Sequence, residues 1–287
     1  MRFAHVHSEG APRLTLVTTG GGGLFVDTLF PGAPRVLEQL IAGGDELLDR
    51  VREAAEGRVG DVDLATASFA SASLAPPVVL AIGLNYSAHS GELGLKTDKT
   101  PTVFTLWPNS LAGHNGTTAW PRSLSESIDW EAELGVIIGA PAKDVSAEAA
   151  LDHVWGYTVV NDITARDIQY SEAQWCRCKS FDGFTPTGPF VVTADEIPDP
   201  QALHIWTITD GHLMQDASTG QMVRSVATLI EHLSASVTLL PGTLISTGSP
   251  GGAGYSRDPQ IFLRDRSTVT VGIDGIGELT THCRILD

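Results

Sequence analysis

Hydrophobic positions along most of the chain alternate or cluster in short runs, the patterns of half-buried and fully buried strands. Residues 78–82 and 103–107 read as strands, as do 156–160 and 190–193. The run 130–138 alternates strongly enough to be a strand with two distinct faces. Val269, Val271 and Ile273 precede Asp274-Gly275, which predicts a two-residue hairpin turn. Helical spacing is rarer. Val226, Leu229, Ile230, Leu233 and Val237 recur at helical intervals and predict an amphipathic helix, stopped by Pro241-Gly242. The first 75 residues have a different texture. Runs at 14–17 and 24–29 flank Gly20-Gly21-Gly22-Gly23 and predict a hairpin. Val36, Leu37, Leu40 and Ile41 form one helical face, ended by Gly43-Gly44. Leu47, Leu48, Val51, Ala54 and Ala55 form another, with Asp45 and Glu46 in the first turn, where the helix dipole favours acids. An Ala/Ser-rich stretch up to Ser73, then Pro76-Pro77, reads as a linker. The expected organisation is a small N-terminal α/β domain over 1–75 and a β-rich larger domain over 76–287, rolled or barrel-like. The fold class is α+β.

Composition narrows the functions open to such a chain. At 287 residues and 42% hydrophobic content there is ample material for a core, which excludes disorder over most of the length. A formal charge of -16 repels nucleic-acid phosphates and anionic lipid, so neither is an expected partner. Three cysteines are too few for a disulfide framework and suit a reducing compartment. The opening residues lack a signal-type apolar region, and the longest apolar stretch, around 76–84, falls short of the roughly 20 residues that span a bilayer. A cytoplasmic protein is expected.

The strongest chemical signal is Glu131-Ala132-Glu133. In a strand the two carboxylates share a face and repel, and among Ile128, Trp130, Leu134 and Val136 their charge needs an offset. A hard divalent cation supplies one; an exposed edge strand with both acids in water is the other possibility. After the strand at 156–160 comes Asn161-Asp162, then Arg166 and Gln169. If that segment is helical, Asp162, Arg166 and Gln169 share a face able to read an anion; otherwise Asp162 is a helix cap with an ordinary ion pair to Arg166. His89 and Glu92 stand three apart, close enough on a helical turn to form a general base or a plain surface pair. Lys179 lies among small and apolar residues and is either buried against an anion or solvated. Other motifs fail. Cys176 and Cys178 lack partners at zinc spacing and read as core or pocket-wall thiols. Ser249 has Thr247 where a nucleophile elbow needs glycine, and the glycines at 20–23 lack the rest of a phosphate loop.

Taken together and in this order, these stretches resemble the fumarylacetoacetate hydrolase family. The matching pieces are Gly83-Leu84-Asn85-Tyr86 with His89 and Glu92-Leu93-Gly94, then Asp129-Trp130-Glu131-Ala132-Glu133-Leu134. Asn161-Asp162 with Arg166-Asp167 and Gln169 follows, then Lys179-Ser180-Phe181-Asp182-Gly183-Phe184, and last Ser246-Thr247-Gly248-Ser249-Pro250. The resemblance covers about residues 78–285. It implies a mixed β-roll catalytic domain, a homodimer, and an Mg²⁺ or Mn²⁺ site. Glu131, Glu133 and Asp162 match the metal carboxylates. His89 and Glu92 match a catalytic dyad on a lid, joined by Lys179, while Arg166, Gln169 and Ser249 match substrate-binding residues. The implied substrate is a small anionic keto acid of the kind met in aromatic catabolism. The implied activity is metal-dependent hydrolysis of a C–C bond in a 2,4-diketo acid through a stabilised enolate. Decarboxylation of oxaloacetate or a related β-keto acid, and isomerase or hydratase chemistry, are alternatives on the same site. Three carboxylates and a dication leave one negative charge, which Arg166 and Lys179 turn positive, suiting an anion. One departure stands out: where many relatives carry Arg or Lys before the glutamate strand, this chain has Leu106. That predicts an apolar wall at Leu106 and a substrate with a neutral distal end, such as an acylpyruvate.

Overall fold

Strands dominate residues 1–87 and 100–287, the parts described by the computed structural model. The chain opens with β1 (Arg2–Ser8), β2 (Ala11–Val17) and β3 (Gly23–Phe25), followed by α1 (Leu37–Ala42) and α2 (Gly44–Ala55). Next come β4 (Val79–Gly83), β5 (Thr102–Leu106), β6 (Leu111–Ala112), β7 (Gly116–Pro121), β8 (Ile128–Asp129) and β9 (Ala132–Ile138). Then follow β10 (Val154–Asn161), β11 (Thr164–Ala165), the short helix α3 (Arg166–Ser171) and β12 (Thr185–Thr193). The last third holds β13 (His204–Thr209), β14 (His212–Ser218), α4 (Val226–Ser236), β15 (Leu244–Ser246), β16 (Thr268–Ile273) and β17 (Gly277–Leu286). This is the β-rich α+β class expected from the periodicity.

Among the described residues ten strands form one sheet, in the order β3-β2-β1-β12-β10-β9-β15-β4-β5, with β6 paired to β12. The pairing is mixed: β15 runs parallel to β4 and antiparallel to β9. A second sheet of five strands, β14-β13-β16-β17-β7, packs on one face of the first. The strand at the centre of this arrangement differs from its prediction in an informative way. Residues 130 and 131 fall between β8 and β9, and every residue of β9 is buried. Leu134, Val136 and Ile138 enter the core beneath the second sheet, while Ile137 enters the other core with Phe3, Val79 and Leu244. With β10 on one side and β15 on the other, the exposed-edge possibility for Glu133 is gone.

The N-terminal strands are joined to this sheet, since β1 pairs with β12 at Arg2–Val192 and Phe3–Val191. The unit over 1–75 proposed from the sequence therefore shares a sheet with the larger one. The stretch read as a linker is also tied down: Ala70 and Ala72 donate backbone hydrogen bonds to His5 and Thr187, and Glu38 accepts from Ser73, Leu74 and Ala75. Two other boundaries moved. The final hairpin needs three residues between Ile273 and Gly277, not two, with Gly275 in the left-handed conformation (φ 81°) that a three-residue loop demands. Helix α4 starts where Ser225 caps it by accepting from the Thr228 N–H, and it ends at Ser236, before the proline. No described helix is long and apolar enough to cross a membrane. All three cysteines are free, Cys178 and Cys283 in the core and Cys176 half-buried near Thr105.

Candidate metal and active site

Three carboxylates converge where β9, β10 and β15 meet. Ligand atoms of Glu131, Glu133 and Asp162 all lie within 4.8 Å of one another, and all three residues are buried. Backbone pairing sets this up. The Asp162 N–H donates to the Glu131 carbonyl at 2.9 Å, and the Glu131 N–H donates to Asn161 Oδ1 at 3.2 Å. The end of β10 is thereby stitched to the residues leading into β9. Glu133 is fixed from the other side: Ser246 Oγ and the Gly248 N–H donate to its Oε2 at 2.5 and 2.9 Å. Gly248 has φ 95°, and a Cβ there would lie 2.8 Å from the Asn85 side chain and 2.9 Å from the Ile82 carbonyl, so only glycine permits this approach.

Lys179 occupies the middle of the cluster. Its ammonium donates to Glu131 Oε2 and Asp162 Oδ2, each at 2.6 Å. Burial alone would strip its proton, but Asp162 and Glu131 outweigh that and hold it charged, with its pKa above the ordinary lysine value. The acids remain under strain. Burial, countered by Lys179 and reinforced by Glu131, pushes the Asp162 carboxyl up to about 6. Burial first, then Asp162 and Glu131, drives Glu133 well above the carboxylate range.

Arg166 sits where the sequence expected an anion reader, but it faces inward. Its guanidinium donates to Asp129 Oδ1 at 2.7 Å, Glu131 Oε1 at 2.7 Å and Gln169 Oε1 at 3.0 Å, and its side chain is wholly buried. The expectation of one helical face carrying Asp162, Arg166 and Gln169 is corrected. Helix α3 begins only at Arg166, because Thr164-Ala165 pair in β11 with Ile128-Asp129 of β8. That pairing extends the chain after Asp162 and sets Arg166 beside Asp129. Only the Arg166–Gln169 half of the predicted face forms. Asp129, whose other oxygen accepts from the Tyr255 N–H at 2.8 Å, is a fourth acid the sequence reading gave no role. With it counted, a bound dication makes the cluster neutral, not positive.

The donor set fits a hard dication. Oxygens alone are offered, as Mg²⁺ or Mn²⁺ prefer. Four buried acids face two cations, which leaves charge for a metal to offset. Asp162 Oδ1 is buried and without a hydrogen-bond partner, the state expected of an atom reserved for a ligand.

Around the cluster runs a narrow cleft. Gln169, Lys179 and Ser249 line it with the three carboxylates, and Phe104, Trp175 and Ile82 supply its apolar side. Trp175 meets Phe104 edge to face at 5.6 Å, and a Cβ on Gly83 would come within 2.4 Å of its ring. The predicted wall is therefore corrected: Leu106 shares a face of β5 with Phe104 but lies further along the strand, buried in the core opposite Val79, and does not line the cleft, whereas Phe104, two residues earlier, does. Arg166 stands behind the cleft and Ser249 inside it. His89 and Glu92 lie outside the described residues. A roomier cavity of about 910 Å³ lies by α2 and the β2–β3 hairpin, but its Arg52 is already paired with Asp49 and Asp195, and the metal-type cluster is elsewhere.

Sequence reasoning missed Asp129, Asn161, Gln215, Ser246, Phe104 and Trp175 as members or supports of this site. Polar Ser246 ending the apolar run Leu244-Ile245 was a usable signal; Gln215 carried none.

The β-rich fold with its buried, all-oxygen acidic cluster is that of an enzyme, and comparison with known proteins gives the family. The chain belongs to the fumarylacetoacetate (FAA) hydrolase family, whose C-terminal domain matches residues 78–284. A candidate hydrolase of Burkholderia lata is 46% identical over 207 residues, 71% of this chain and 73% of that protein. The fumarylacetoacetate hydrolase of psychrophilic Exiguobacterium antarcticum superposes with a TM-score of 0.83 at 32% identity over the whole of both chains. A 5-carboxymethyl-2-hydroxymuconate delta-isomerase from Mycobacterium smegmatis does so with a TM-score of 0.77 at 29% identity, again over both full lengths.

Proposed function

We propose that the chain is a divalent-metal-dependent hydrolase that cleaves a C–C bond in a 2,4-diketo acid with a neutral distal end, an acylpyruvate. The observation that carries this is the Glu131, Glu133 and Asp162 cluster in a cleft lined by both polar and aromatic side chains, with Phe104 beside Lys179. In this reading those three residues would hold Mg²⁺ or Mn²⁺, which when bound would supply Lewis-acid stabilisation of charge on the keto acid. Lys179 stays protonated between Glu131 and Asp162 and directs its positive charge at the acid end of the substrate. Arg166 occupies the Gln169 carboxamide oxygen, so Gln169 presents its NH₂ to the cleft as a donor for that end. Phe104 and Trp175 take the distal group. Among the described residues Lys179 is the one cation lining the cleft, which favours a neutral distal group over a second carboxylate.

His89, assisted by Glu92, takes a proton from the attacking water. Oxygen adds to the distal carbonyl carbon and the bond from that carbon to C3 breaks. C3 keeps the electron pair and is protonated, giving pyruvate and a carboxylate. The same reading makes the protein a cytoplasmic homodimer acting in aromatic catabolism. The hydrolase name of one structural neighbour supports it. The isomerase name of another supports the alternative of rearranging a similar enolisable acid without water attack. Decarboxylation of oxaloacetate is the other alternative.

Product analysis separates these. Wild type with Mg²⁺ should convert acetylpyruvate to acetate and pyruvate, outpacing fumarylpyruvate and oxaloacetate. His89→Ala should lower acetylpyruvate hydrolysis by about 10²-fold or more, in line with loss of a general base, and spare any oxaloacetate decarboxylation. Pyruvate from oxaloacetate alone would replace the hydrolase reading with decarboxylation, and an isomerised acid with no cleavage would replace it with isomerisation.

A further inference from the structure

Gln215 lies on β14, in the second sheet, and no motif drew attention to it. Its side chain is buried and makes four hydrogen bonds, the full capacity of a carboxamide used in this way. Oε1 accepts from the Ala132 N–H at 3.0 Å and from Thr207 Oγ1 at 2.8 Å. Nε2 donates to Ser249 Oγ at 2.9 Å and to the Pro250 carbonyl at 2.8 Å. The partners settle which end is which: a backbone N–H can only donate, and a carbonyl can only accept. Gln215 thus ties the second sheet to the backbone that carries Glu131 and Glu133 and to Ser249, which lines the cleft. It holds the peptide N–H between Glu131 and Glu133, and it holds the hydroxyl of Ser249.

The fixed orientation has a chemical consequence. Ser249 Oγ already accepts from Gln215, so one of its lone pairs is committed. Its own proton has, among the described residues, only the Pro250 carbonyl at 3.5 Å, the outer limit of a hydrogen bond. That carbonyl is already taken by Gln215. The Ser249 proton is left for whatever oxygen enters the cleft, which Ser249 lines.

We propose that Gln215 is a positioning residue that makes Ser249 an obligatory hydrogen-bond donor to an oxygen of the bound acid. This deepens the proposed function and rests on it, since the ligand in question is the 2-oxo acid end of the substrate. Ser249 then selects a ligand presenting a carboxylate or carbonyl oxygen over one presenting a donor at that spot. The action is transmitted through one hydroxyl, which separates it from a general contribution to folding.

The test is a double-mutant cycle read by pyruvate, the 2-oxo acid fragment common to acylpyruvates. Its inhibition constant is measured against acetylpyruvate turnover at saturating Mg²⁺ in wild type, Ser249→Ala, Gln215→Met and the double variant. Loss of a hydrogen bond to a charged group is worth about tenfold in affinity. Each single variant should weaken pyruvate by about that factor, and the double variant by no more than the weaker-binding single. Ser249→Thr, which keeps the hydroxyl, should bind pyruvate within about twofold of wild type. Mg²⁺ affinity of Ser249→Ala, measured calorimetrically without substrate, should equal that of wild type. Additive losses in the cycle would overturn the proposal, as would a Gln215→Met variant that is less stable but binds pyruvate normally. If Gln215→Met does not fold, wild-type pyruvate affinity in Ser249→Ala overturns it alone. A wild-type protein that neither binds pyruvate nor turns over acetylpyruvate removes the function reading itself, and this inference with it.

Discussion

Asp162→Ala should lose Mg²⁺-dependent turnover by at least about 10³-fold, the several kcal/mol that a metal contributes to charge stabilisation in such a reaction. Of the three proposed ligands it gives the cleanest test. Glu131 also anchors Arg166 and Lys179, and Glu133 is tied to Ser246 and Gly248, so their removal disturbs the scaffold as well. Asp162 engages Lys179 through one oxygen and leaves the other without a partner. In the alanine variant Lys179 keeps Glu131 as its counter-ion. Glu133 loses the acid that, after burial, does most to raise its pKa. The metal-free variant should therefore melt no lower than metal-free wild type, because one buried like charge has been removed. Mg²⁺ should raise the melting temperature of wild type and not of the variant. A variant with full activity would remove Asp162 from the metal site.

Arg166→Met should produce the largest loss of stability. The guanidinium bridges Asp129 and Glu131 in a fully buried setting, so its removal leaves Asp129 without a cation and Glu131 with Lys179 alone. Breaking a buried pair by removing one partner costs about 3–5 kcal/mol. For a chain of this size that lowers the melting temperature by about 10 °C. The drop should appear in EDTA and in Mg²⁺ alike, because Asp129 is not among the clustered metal-type ligands. Arg166→Lys should recover little of it, since one ammonium cannot reproduce a fork to Asp129, Glu131 and Gln169. The opposite pattern, an unchanged melting temperature with a raised KM for acetylpyruvate, would mean that Arg166 contacts the substrate, as the family resemblance implied.

How far the sequence revealed this site follows from the range of the interactions that build it. Glu131 and Glu133 were visible because acids two apart in an apolar strand conflict with their surroundings. The strand's burial on both faces was not visible, because alternation cannot distinguish a second core from solvent; here Ile137 and its neighbours meet an N-terminal layer. The Asp162 to Gln169 segment misled for a local reason. Four-residue spacing reads as a helical turn, whereas two residues, Thr164 and Ala165, pair with Asp129 and Ile128, 35 and 37 positions upstream, and keep the chain extended. That long-range pairing turns Arg166 from a surface reader into an internal counter-ion. Leu106 misled by its place along the strand: Phe104 shares its face of β5 and lines the cleft, while Leu106, two residues on, is buried in the core opposite Val79, and a motif alignment carries no information about where along a strand a cleft ends. Gln215 contacts groups 83 and 34 residues away, Ala132 and Ser249, and no local pattern encodes such bonds. The helices at 37–42, 44–55 and 226–236, whose signals are local, were legible to within a few residues.

Whether this acidic cluster carries metal-dependent C–C hydrolysis is decided by the absorbance of acetylpyruvate, followed with Mg²⁺ and with EDTA. Absorbance should fall with Mg²⁺, with acetate and pyruvate formed in equal amounts, and stay constant in EDTA. Equal rates with Mg²⁺ and EDTA, or no consumption of acetylpyruvate under either condition, would contradict the hydrolase reading.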